Sequence, residues 1–556
     1  MTHSNIKLLD CTIRDGGYIN DWSFPFSFAQ DLACTLSDAK VDYIELGFLK
    51  KEPTSNLWTN VTQETISQLK PFLGKTKVSL LADYKSITLE DVPNQKDAHF
   101  QLLRIATHKK DYKQALNLAL EIKQQKGIET TINFMGISSY SNEEILTLAK
   151  EIQDHKEDIK CFYLADSFGA LLPEDTKLIF EAILSQGEVP LGFHPHNNLQ
   201  LAFANTLEAI RAGACMIDAS ISGMGRGAGN LHLEIILAYL NKTRETQHTP
   251  LPVLRFIDIF MMPLKQKYNW GYSTSQLVSG LLSCHPNYPK HLLETKTYSI
   301  DAVYSMLSSI PEKEKSLFTK ETLQDTQKKF LEECASRHKE IGLNLKSSFK
   351  NTDALILCSG PSIAKHKDRI LKTIESGRFV SFSINRDTDL LETDYVFFGN
   401  NRRWIQYQNS LSNSSKTILG TRVIDTYPEE RAHPVTYTTH STLNYDLFDV
   451  GVPTNSALEL AYFLIQQGAK NIYLAGLDGY TKNKDNFYYE ENDHIEGAQE
   501  LEKANNTIAQ ELSQISTLLK EKEVSLHSLT PSIFSDFFQS TFSSKNEDCR
   551  HYSSSL

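Results

Sequence analysis

Residues 6–17, IKLLDCTIRDGG, contain the unit that decides the fold: a short apolar segment, a polar turn, and then a stretch of helical character. Similar segments recur roughly every 30 residues over the first 230 positions, which is the usual length of a strand–helix repeat. They begin at Ile6, Asp42, Lys77, Gln101, Glu129, Lys160, Pro190 and Met216. Eight such units predict a (β/α)8 TIM barrel, an α/β fold whose chemistry lies at the carboxyl ends of its strands. The alternative is an open doubly wound sheet, which the lack of a phosphate-binding glycine loop after the first segment disfavours.

The rest of the chain predicts further domains. A length of 556 residues suggests about two to four domains at roughly 150 residues each. A strand and turn signal restarts at Asp353 (DALILCSGPS), after a charge-rich, helix-forming stretch between Pro311 and Lys346. We therefore expect a barrel domain over residues 1–250, a helical extension and linker over 251–350, a second α/β, Rossmann-like domain over 351–540, and a polar tail over 541–556.

Composition excludes several classes of protein. A hydrophobic content of 40% and a charged content of 22% indicate a globular chain with large cores. The net charge of −11 argues against nucleic acid as the main partner. No apolar run is long enough to span a membrane, and the first residues lack the pattern of a signal peptide. The eight cysteines are scattered without a CxxC pair, which predicts reduced thiols and a cytoplasmic location.

Three polar groups follow predicted strands of the barrel. They are Asp10–Gly17 after the first strand, His194-Pro-His196-Asn197 after the seventh, and Gly223–Asn230 after the eighth. Residues i and i+2 of an extended segment face the same side, so both imidazoles can meet at one point. Closure of a barrel brings its first, seventh and eighth strands together, and Asp15 with them.

Two imidazoles and one carboxylate leave open positions on a divalent ion, as catalytic metal sites require. Taken alone, the His-x-His pair is more often structural, and Arg14-Asp15 could equally be an ordinary ion pair. Their occurrence on strands that must adjoin favours the metal site.

These motifs carry a family resemblance. Residues 1–290 resemble the metal-dependent aldolase/lyase superfamily that contains hydroxymethylglutaryl-CoA lyase, isopropylmalate synthase and 4-hydroxy-2-oxovalerate aldolase, and the last gives the best match. The shared stretches are the RDGG loop, IELGF at 44–48, RIATH at 104–108, ADSFG at 165–169, HPHNNL at 194–199 and DASISGMGRGAGN at 218–230.

The resemblance implies a site and a chemistry. Asp15, His194 and His196 would hold Mn²⁺ or Mg²⁺, which supplies Lewis-acid stabilisation of the enolate of a 2-oxo acid. The catalytic Arg14 would add a fixed cation where negative charge develops. The expected small-molecule partners are a 2-oxo acid and an aldehyde. Expected substrate-binding residues at the strand ends are Glu45, Asp83, Arg104, His108, Asn133 and Asp166.

One residue departs from the family pattern. The 4-hydroxy-2-oxovalerate aldolases carry a His two residues after the RDG glycine, whereas this chain has Tyr18. A phenol with a pKa of about 10 is a poor base at neutral pH. We expect Tyr18 to contact substrate in the catalytic site. The base stays open among Tyr18 acting through a water molecule, Asp83, His108, His285 and Tyr288.

The second domain begins with a strand and a Gly360-Pro361-Ser362 turn that opens a helix, an arrangement that can bind phosphate or simply join strand to helix. With SFSINR, DYVFFGN, PTNS and NIYLAGLDG, it resembles bacterial sialyltransferases and related domains of surface-polysaccharide clusters. The resemblance implies contacts to a cytidine nucleotide or nucleotide-sugar. The expected contacts are Gly360, Pro361, Ser362, Asn385, Asn400, Thr454, Ser456 and Asp478.

Together these features predict a metal-dependent aldolase, a carbon–carbon lyase acting on pyruvate and a sugar-derived aldehyde in surface-polysaccharide metabolism, with a nucleotide-binding second domain. One alternative is an inactive barrel that serves as a scaffold for a glycosyltransferase-like or nucleotide-binding module. Another is an acetyl-CoA-dependent synthase. Apolar helices expected at Asp258–Leu264 and Thr274–Leu282 predict a homo-oligomer.

Overall fold

A computed structural model gives the structure of the protein. It describes residues 6–52, 54–243, 247–294, 298, 300–341, 349–376, 378–386, 392–411, 416–420, 423, 437–438, 455–481 and 498–539. The predicted polar tail at 541–556 lies outside this range. Contacts divide the chain into two compact units, Met1–His291 with Leu307–Leu323 and Leu292–Met306 with Gln324–Leu556. The four-part division drawn from the sequence stays a prediction.

The first unit contains a closed barrel of eight parallel strands, which confirms the predicted fold class. The strands are β1 (Lys7–Asp10), β2 (Tyr43–Phe48), β3 (Lys77–Asp83), β4 (Leu102–Thr107), β5 (Glu129–Met135), β6 (Cys161–Asp166), β7 (Leu191–Pro195) and β8 (Met216–Ala219). They pair in sequence order, and β1 closes the ring by pairing with β8 at Leu8 and Ile217. Most strand residues are buried on both faces, which explains the nearly continuous apolar segments of the sequence.

Eight helices connect or follow the strands. They are α1 (Thr12–Asn20), α2 (Phe26–Asp38), α3 (Gln63–Leu69), α4 (Tyr112–Glu121), α5 (Asn142–Gln153), α6 (Pro173–Leu184), α7 (Ala202–Ala212) and α8 (Leu233–Thr243). Helix α5 shows why they form, because Ser141 and Glu144 make a capping box and Ile145 and Ile152 lie on its buried face.

The predicted RDGG loop is in fact part of helix α1. Glycine is a poor helix former, so local propensity argues against this helix. Tertiary packing overrides the propensity, since a Cβ atom on Gly17 would lie 2.1 Å from the Trp22 ring. A residue without a side chain is therefore required where the indole crosses α1.

The segment after the barrel is helical. It contains α9 (Leu251–Phe256), a π-helical stretch (Ile257–Met261), α10 (Met262–Tyr268), α11 (Thr274–Leu281), α12 (Asn287–Glu294), α13 (Ile300–Ser308), α14 (Glu312–Lys315) and α15 (Lys320–Ile341). Phe256 and Phe260 pack on Phe28 of α2, with ring centroids 5.2 and 6.0 Å from that ring. In the part of the chain that is described, no helix has the length and apolarity needed to cross a membrane.

The second unit is built on a seven-stranded parallel sheet, as the sequence predicts for a second α/β domain. Its strands are β9 (Asp353–Leu357), β10 (Phe379–Ile384), β11 (Tyr395–Phe398), β12 (Lys416–Leu419), β13 (Tyr437–Thr438), β14 (Asn471–Ala475) and β15 (Ser525–Ser528). Its helices are α16 (Ser362–Lys365), α17 (Lys367–Glu375), α18 (Asn401–Tyr407), α19 (Ser456–Gln466) and α20 (Ala498–Glu521). The strand order β13-β12-β11-β10-β9-β14-β15 reverses direction at β9, and such reversals open a crevice beyond the carboxyl ends of the strands.

Candidate metal centre

Asp15, His194 and His196 meet at the carboxyl end of the barrel. Their ligand atoms all lie within 4.8 Å of one another, and all three side chains are buried. His194 lies in β7, and His196 follows it with a backbone hydrogen bond to Asp166 at the end of β6. The pairing of β1 with β8 places helix α1, and therefore Asp15, beside them. The three predicted ligands thus converge through closure of the barrel.

Both imidazoles are oriented through their Nδ1 atoms. His194 Nδ1 donates to Asp218 Oδ2 at 2.9 Å, and His196 Nδ1 donates to the carbonyl oxygen of Arg226 at 3.2 Å. A nitrogen that donates its proton in this way leaves the Nε2 lone pair for a metal ion. Burial lowers the pKa of His196 to about 4, so this ring is neutral at pH 7.

Arg14 neutralises the anionic side of the site. Its Nη1 atom donates to Asp15 Oδ1 at 2.5 Å, and its Nε atom donates to Glu45 Oε2 at 2.6 Å. Burial by itself would raise the pKa of Asp15, but the Arg14 guanidinium and the two imidazoles hold it well below its usual range. Among the described residues no hydrogen-bond partner takes the Nη2 atom of Arg14.

A buried ionic layer supports these groups. Arg104 donates to Glu45 Oε1 at 3.0 Å and to Asp218 Oδ2, and its guanidinium lies 4.1 Å from the centre of the Tyr163 ring. The side chains of Glu45, Arg104 and Asp218 have no exposed surface. The resemblance implies that Glu45 and Arg104 bind substrate. In the structure both are buried beneath the triad, where Glu45 holds Arg14 and Arg104 holds His194 through Asp218. Asp218 was not predicted as a site residue, although it is the first residue of the DASISG motif that the sequence analysis identified.

Asn230 completes the candidate centre and was also missed as a site residue. Its Nδ2 atom donates to Asp15 Oδ2 at 2.6 Å. Its Oδ1 atom is buried and has no hydrogen-bond partner among the described residues. Two imidazoles, one carboxylate and a spare amide oxygen form a donor set that fits a divalent ion. The sequence feature that could have identified Asn230 is its position at the end of the glycine-rich stretch Gly223–Asn230.

Three of the predicted residues lie at the mouth of the barrel. Tyr18 is 47% exposed and packs edge-on against Trp22, with ring centroids 4.7 Å apart. Partial burial raises the pKa of the Tyr18 phenol. Asp83 and His108 are exposed at the ends of β3 and β4, and partial burial lowers the pKa of His108. At neutral pH the His108 imidazole is therefore uncharged and can accept a proton.

The other predicted side chains are occupied within the protein. Asn133 Oδ1 accepts from the Thr131 hydroxyl at 3.0 Å. Asp166 accepts from the backbone amides of Ala170 and Leu171 at 3.1 and 3.2 Å, and it therefore fixes the loop after β6. Tyr288, one candidate base, is fully buried and donates its hydroxyl proton to the carbonyl oxygen of Leu317 at 2.9 Å.

Arg226 stands over the centre and was not singled out from the sequence, although its loop was. A Cβ atom on the preceding residue, Gly225, would lie 2.6 Å from Asp15 Oδ2, so the loop packs directly on this ligand. The Arg226 guanidinium contacts His285 Nε2 and lies 5.8 Å from the centre of the Tyr18 ring. Burial, with a smaller contribution from Arg226, lowers the pKa of His285 to about 3.

The second unit has a cavity of about 250 Å³ at the carboxyl ends of its strands. Its lining includes five of the predicted nucleotide contacts, namely Gly360, Asn385, Asn400, Ser456 and Asp478. Pro361 and Ser362 follow Gly360 in the same turn, and Thr454 lies outside the described residues.

Several of these side chains bond to one another. The Ser362 amide donates to Asp478 Oδ2 at 2.7 Å, and the Ser362 hydroxyl contacts the same carboxylate. Asn385 Nδ2 donates to the Ser456 hydroxyl at 3.4 Å, and Asn400 accepts from the Arg403 amide and caps α18. Burial raises the pKa of Asp478. These bonds hold the rim of the cavity in place.

Comparisons with known proteins cover the barrel. Residues 5–260 match the HMGL-like family. A 4-hydroxy-2-oxovalerate aldolase of Geobacillus genomosp. 3 is 32% identical over 249 residues, which are 44% of this chain and 72% of that relative. An oxaloacetate decarboxylase of Mycobacterium tuberculosis is 28% identical over 43% of this chain and 71% of its own length. A crystal structure of the N-terminal domain of a Bacteroides vulgatus protein described as an aldolase is 30% identical, with a TM-score of 0.48 over 53% of this chain and 98% of that one.

Proposed function

This chain belongs to the HMGL-like family, and from that membership we propose that its barrel makes or cleaves a carbon–carbon bond between pyruvate and an aldehyde. The family and its aldolase and decarboxylase members make the barrel a metal-dependent lyase. The observation that carries the aldolase proposal is the triad of Asp15, His194 and His196, in which both imidazoles keep Nε2 free for an ion. We propose Mn²⁺ or Mg²⁺ as that ion.

When bound, the divalent ion supplies Lewis-acid stabilisation of the enolate oxygen. Arg14 lies against Asp15, and its Nη2 proton is available for the carboxylate or the developing enolate of the 2-oxo acid. A guanidinium keeps its charge throughout the reaction, so it stabilises negative charge without exchanging a proton. Asp218 and Arg104 fix the ring of His194 from below. We assign them, with Glu45, to positioning.

Cleavage also needs a group that takes the proton of the C4 hydroxyl. We propose His108, because it is exposed at the mouth and its lowered pKa keeps it neutral at pH 7. His285 is occupied by Arg226, and Tyr288 is buried. Tyr18 is proposed as a substrate contact at the same rim. Asp83 and Asn133 remain proposed contacts at the ends of β3 and β5.

The test is metal-dependent release of pyruvate by the purified full chain. We expect pyruvate from 4-hydroxy-2-oxopentanoate with Mn²⁺ or Mg²⁺, none after chelation, and none from His196→Ala. His155→Ala is the matched control, since His155 follows α5 at the opposite end of the barrel and should leave the rate unchanged. Full turnover by His196→Ala, or no turnover with either ion, would contradict the proposal. Binding of cytidine nucleotides without any turnover would favour the scaffold alternative, and turnover that needs acetyl-CoA would favour the synthase.

For the second unit we propose binding of a nucleotide or nucleotide-sugar in the cavity beyond β9 and β14. Support comes from its position at the reversal of strand order, where ligands bind in open parallel sheets. Close approach of the two loops supports it as well, because a Cβ atom on Gly360 would lie 2.4 Å from the Gly476 carbonyl oxygen. We link the two activities to the metabolism of a surface-polysaccharide sugar, in a cytoplasmic homo-oligomer. Titration calorimetry with CMP and a CMP-sugar tests the binding, and no heat from either ligand would contradict it.

A further inference from the structure

The loop after β8 places the guanidinium of Arg226 over the candidate metal centre. The chemistry of pyruvate does not require this cation. The backbone of Gly225 packs on Asp15, and the carbonyl oxygen of Arg226 accepts a hydrogen bond from His196 Nδ1. These contacts fix the loop directly above the triad. The guanidinium of Arg226 is partly buried there, between His285 and the ring of Tyr18. It therefore borders the space that lies between the triad and the mouth of the barrel.

No carboxylate among the described residues balances the positive charge of Arg226. Within the described ranges, no carboxylate lies within ion-pair distance of its guanidinium, whereas Asp15 and Glu45 are both paired with Arg14. The imidazole of His285, its nearest polar neighbour, carries no negative charge. Partial burial of an uncompensated charge is unfavourable, and a site that binds an anion removes this cost.

Two other cations near the carboxyl ends of the strands are already neutralised. Lys85 pairs with Asp111 at 2.7 Å, and Lys109 pairs with Glu144. One uncompensated guanidinium matches a single negative charge, and its planar fork fits the two oxygens of a carboxylate.

We propose that Arg226 binds a carboxylate at the aldehyde end of the substrate, so that the enzyme acts on 4-hydroxy-2-oxo diacids. This inference rests on the proposed aldolase function. In the cleavage direction the C4 hydroxyl proton goes to the base, the C3–C4 bond breaks, and its electron pair moves into the 2-oxo group. The carboxylate held by Arg226 leaves unchanged on the aldehyde, and C3 takes up a proton to give pyruvate.

Binding of substrate analogues tests the proposal without turnover. The metal-loaded full chain is titrated with the diacids 2-oxoglutarate and 2-oxoadipate, and with the monoacids 2-oxopentanoate and 2-oxohexanoate, which end in a methyl group instead of the second carboxylate. None of the four has the hydroxyl needed for cleavage. We expect one diacid to bind about tenfold or more tightly than the monoacid of the same chain length, as a hydrogen-bonded charge pair should provide. In Arg226→Met this preference should disappear while the affinity for the monoacids is kept. Arg226→Lys should restore part of it.

Arg211→Met is the matched control, because Arg211 is an exposed arginine of α7 paired with Glu208, and it should keep the full preference. Equal affinities for the diacids and the monoacids in the unaltered chain would overturn the role of Arg226 and leave the aldolase proposal standing. An undiminished preference in Arg226→Met would do the same. Failure of all four acids to bind would overturn the aldolase proposal together with this inference. In turnover, 4-hydroxy-2-oxoglutarate should exceed 4-hydroxy-2-oxopentanoate in kcat/KM, with the difference lost in Arg226→Met.

Discussion

The barrel and the second sheet are both parallel, and both place their candidate site at the carboxyl ends of the strands, yet they build it from different groups. In the barrel the site rests on buried ions. Arg14 bridges Asp15 and Glu45, and Arg104 bridges Glu45 and Asp218. In the second sheet the cavity is lined mainly by glycines, amides and hydroxyls. A closed ring lets charges from opposite strands meet inside it, whereas an open crevice presents loops and backbone groups. The two sites should therefore differ in how much stability and activity depend on single charges.

The largest expected effect comes from removing the central charge of the barrel layer. Arg104→Met removes a buried cation and leaves Glu45 with Arg14 alone and Asp218 with His194 alone, so we expect the barrel to lose about 3–5 kcal/mol of unfolding free energy. Urea unfolding followed by circular dichroism measures this loss. The counterpart in the second sheet is Ser362→Ala, which removes a hydrogen bond to Asp478 and should cost about 1 kcal/mol. Equal losses in the two variants would remove the contrast between the two sites.

The next effect separates charge from geometry at Arg14. Lysine keeps the charge but cannot contact Asp15, Glu45 and the substrate at once, because it lacks the planar fork. We expect Arg14→Lys to lower kcat about a hundredfold, in line with the loss of one preorganised donor to developing charge. Steady-state pyruvate release measures kcat, and the exposed Arg211→Lys is the control. A variant with an unchanged kcat would show that only the charge of Arg14 matters.

The sequence predicts the barrel and the three candidate ligands because the features that determine them are local. The apolar strands recur at regular spacing, and His194 and His196 face one side through their i and i+2 positions. Asp218 and Asn230 escaped notice because their roles depend on partners far along the chain, His194 and Asp15.

The same limit explains the other differences. Glu45 and Arg104 stand in the right motifs, but only the cross-barrel pairing shows that they have no exposed surface. The helix through Gly16 and Gly17 contradicts helix propensity, and packing against Trp22 decides it. In the second sheet the strand order and the close approach of two loops emerge only in three dimensions.

A smaller effect tests the second sheet through its backbone. In Gly360→Ala the new Cβ atom would lie 2.4 Å from the Gly476 carbonyl oxygen, and a backbone atom cannot move aside as a flexible side chain does. We expect a loss of about 1–2 kcal/mol of stability in the second unit and weaker nucleotide binding. Pyruvate release by the barrel should be unchanged. Gly271→Ala is the control, since nothing lies within 4 Å of its added Cβ atom, although its positive φ adds some strain. A loss of barrel activity in Gly360→Ala alone would contradict the independence of the two sites.

The smallest effect is a shift in the pH profile of the barrel. If His108 is the base, activity requires its neutral form, so kcat/KM should rise with pH through a pKa below the ordinary value of about 6.5 and be flat at neutral pH. Burial is the main cause of the lowered pKa, and Lys110 and Lys85 lower it further, while Asp83 and Asp111 oppose them. Removing one opposing carboxylate in Asp83→Asn should lower the pKa of His108 again and move the acid limb to lower pH, by less than about one unit.

His108→Gln should abolish this limb. An acid limb that stays in His108→Gln, or that moves to higher pH in Asp83→Asn, would assign the proton of the substrate hydroxyl to another group. Because no comparable exposed histidine lines the described rim of the second cavity, nucleotide binding should not follow this profile.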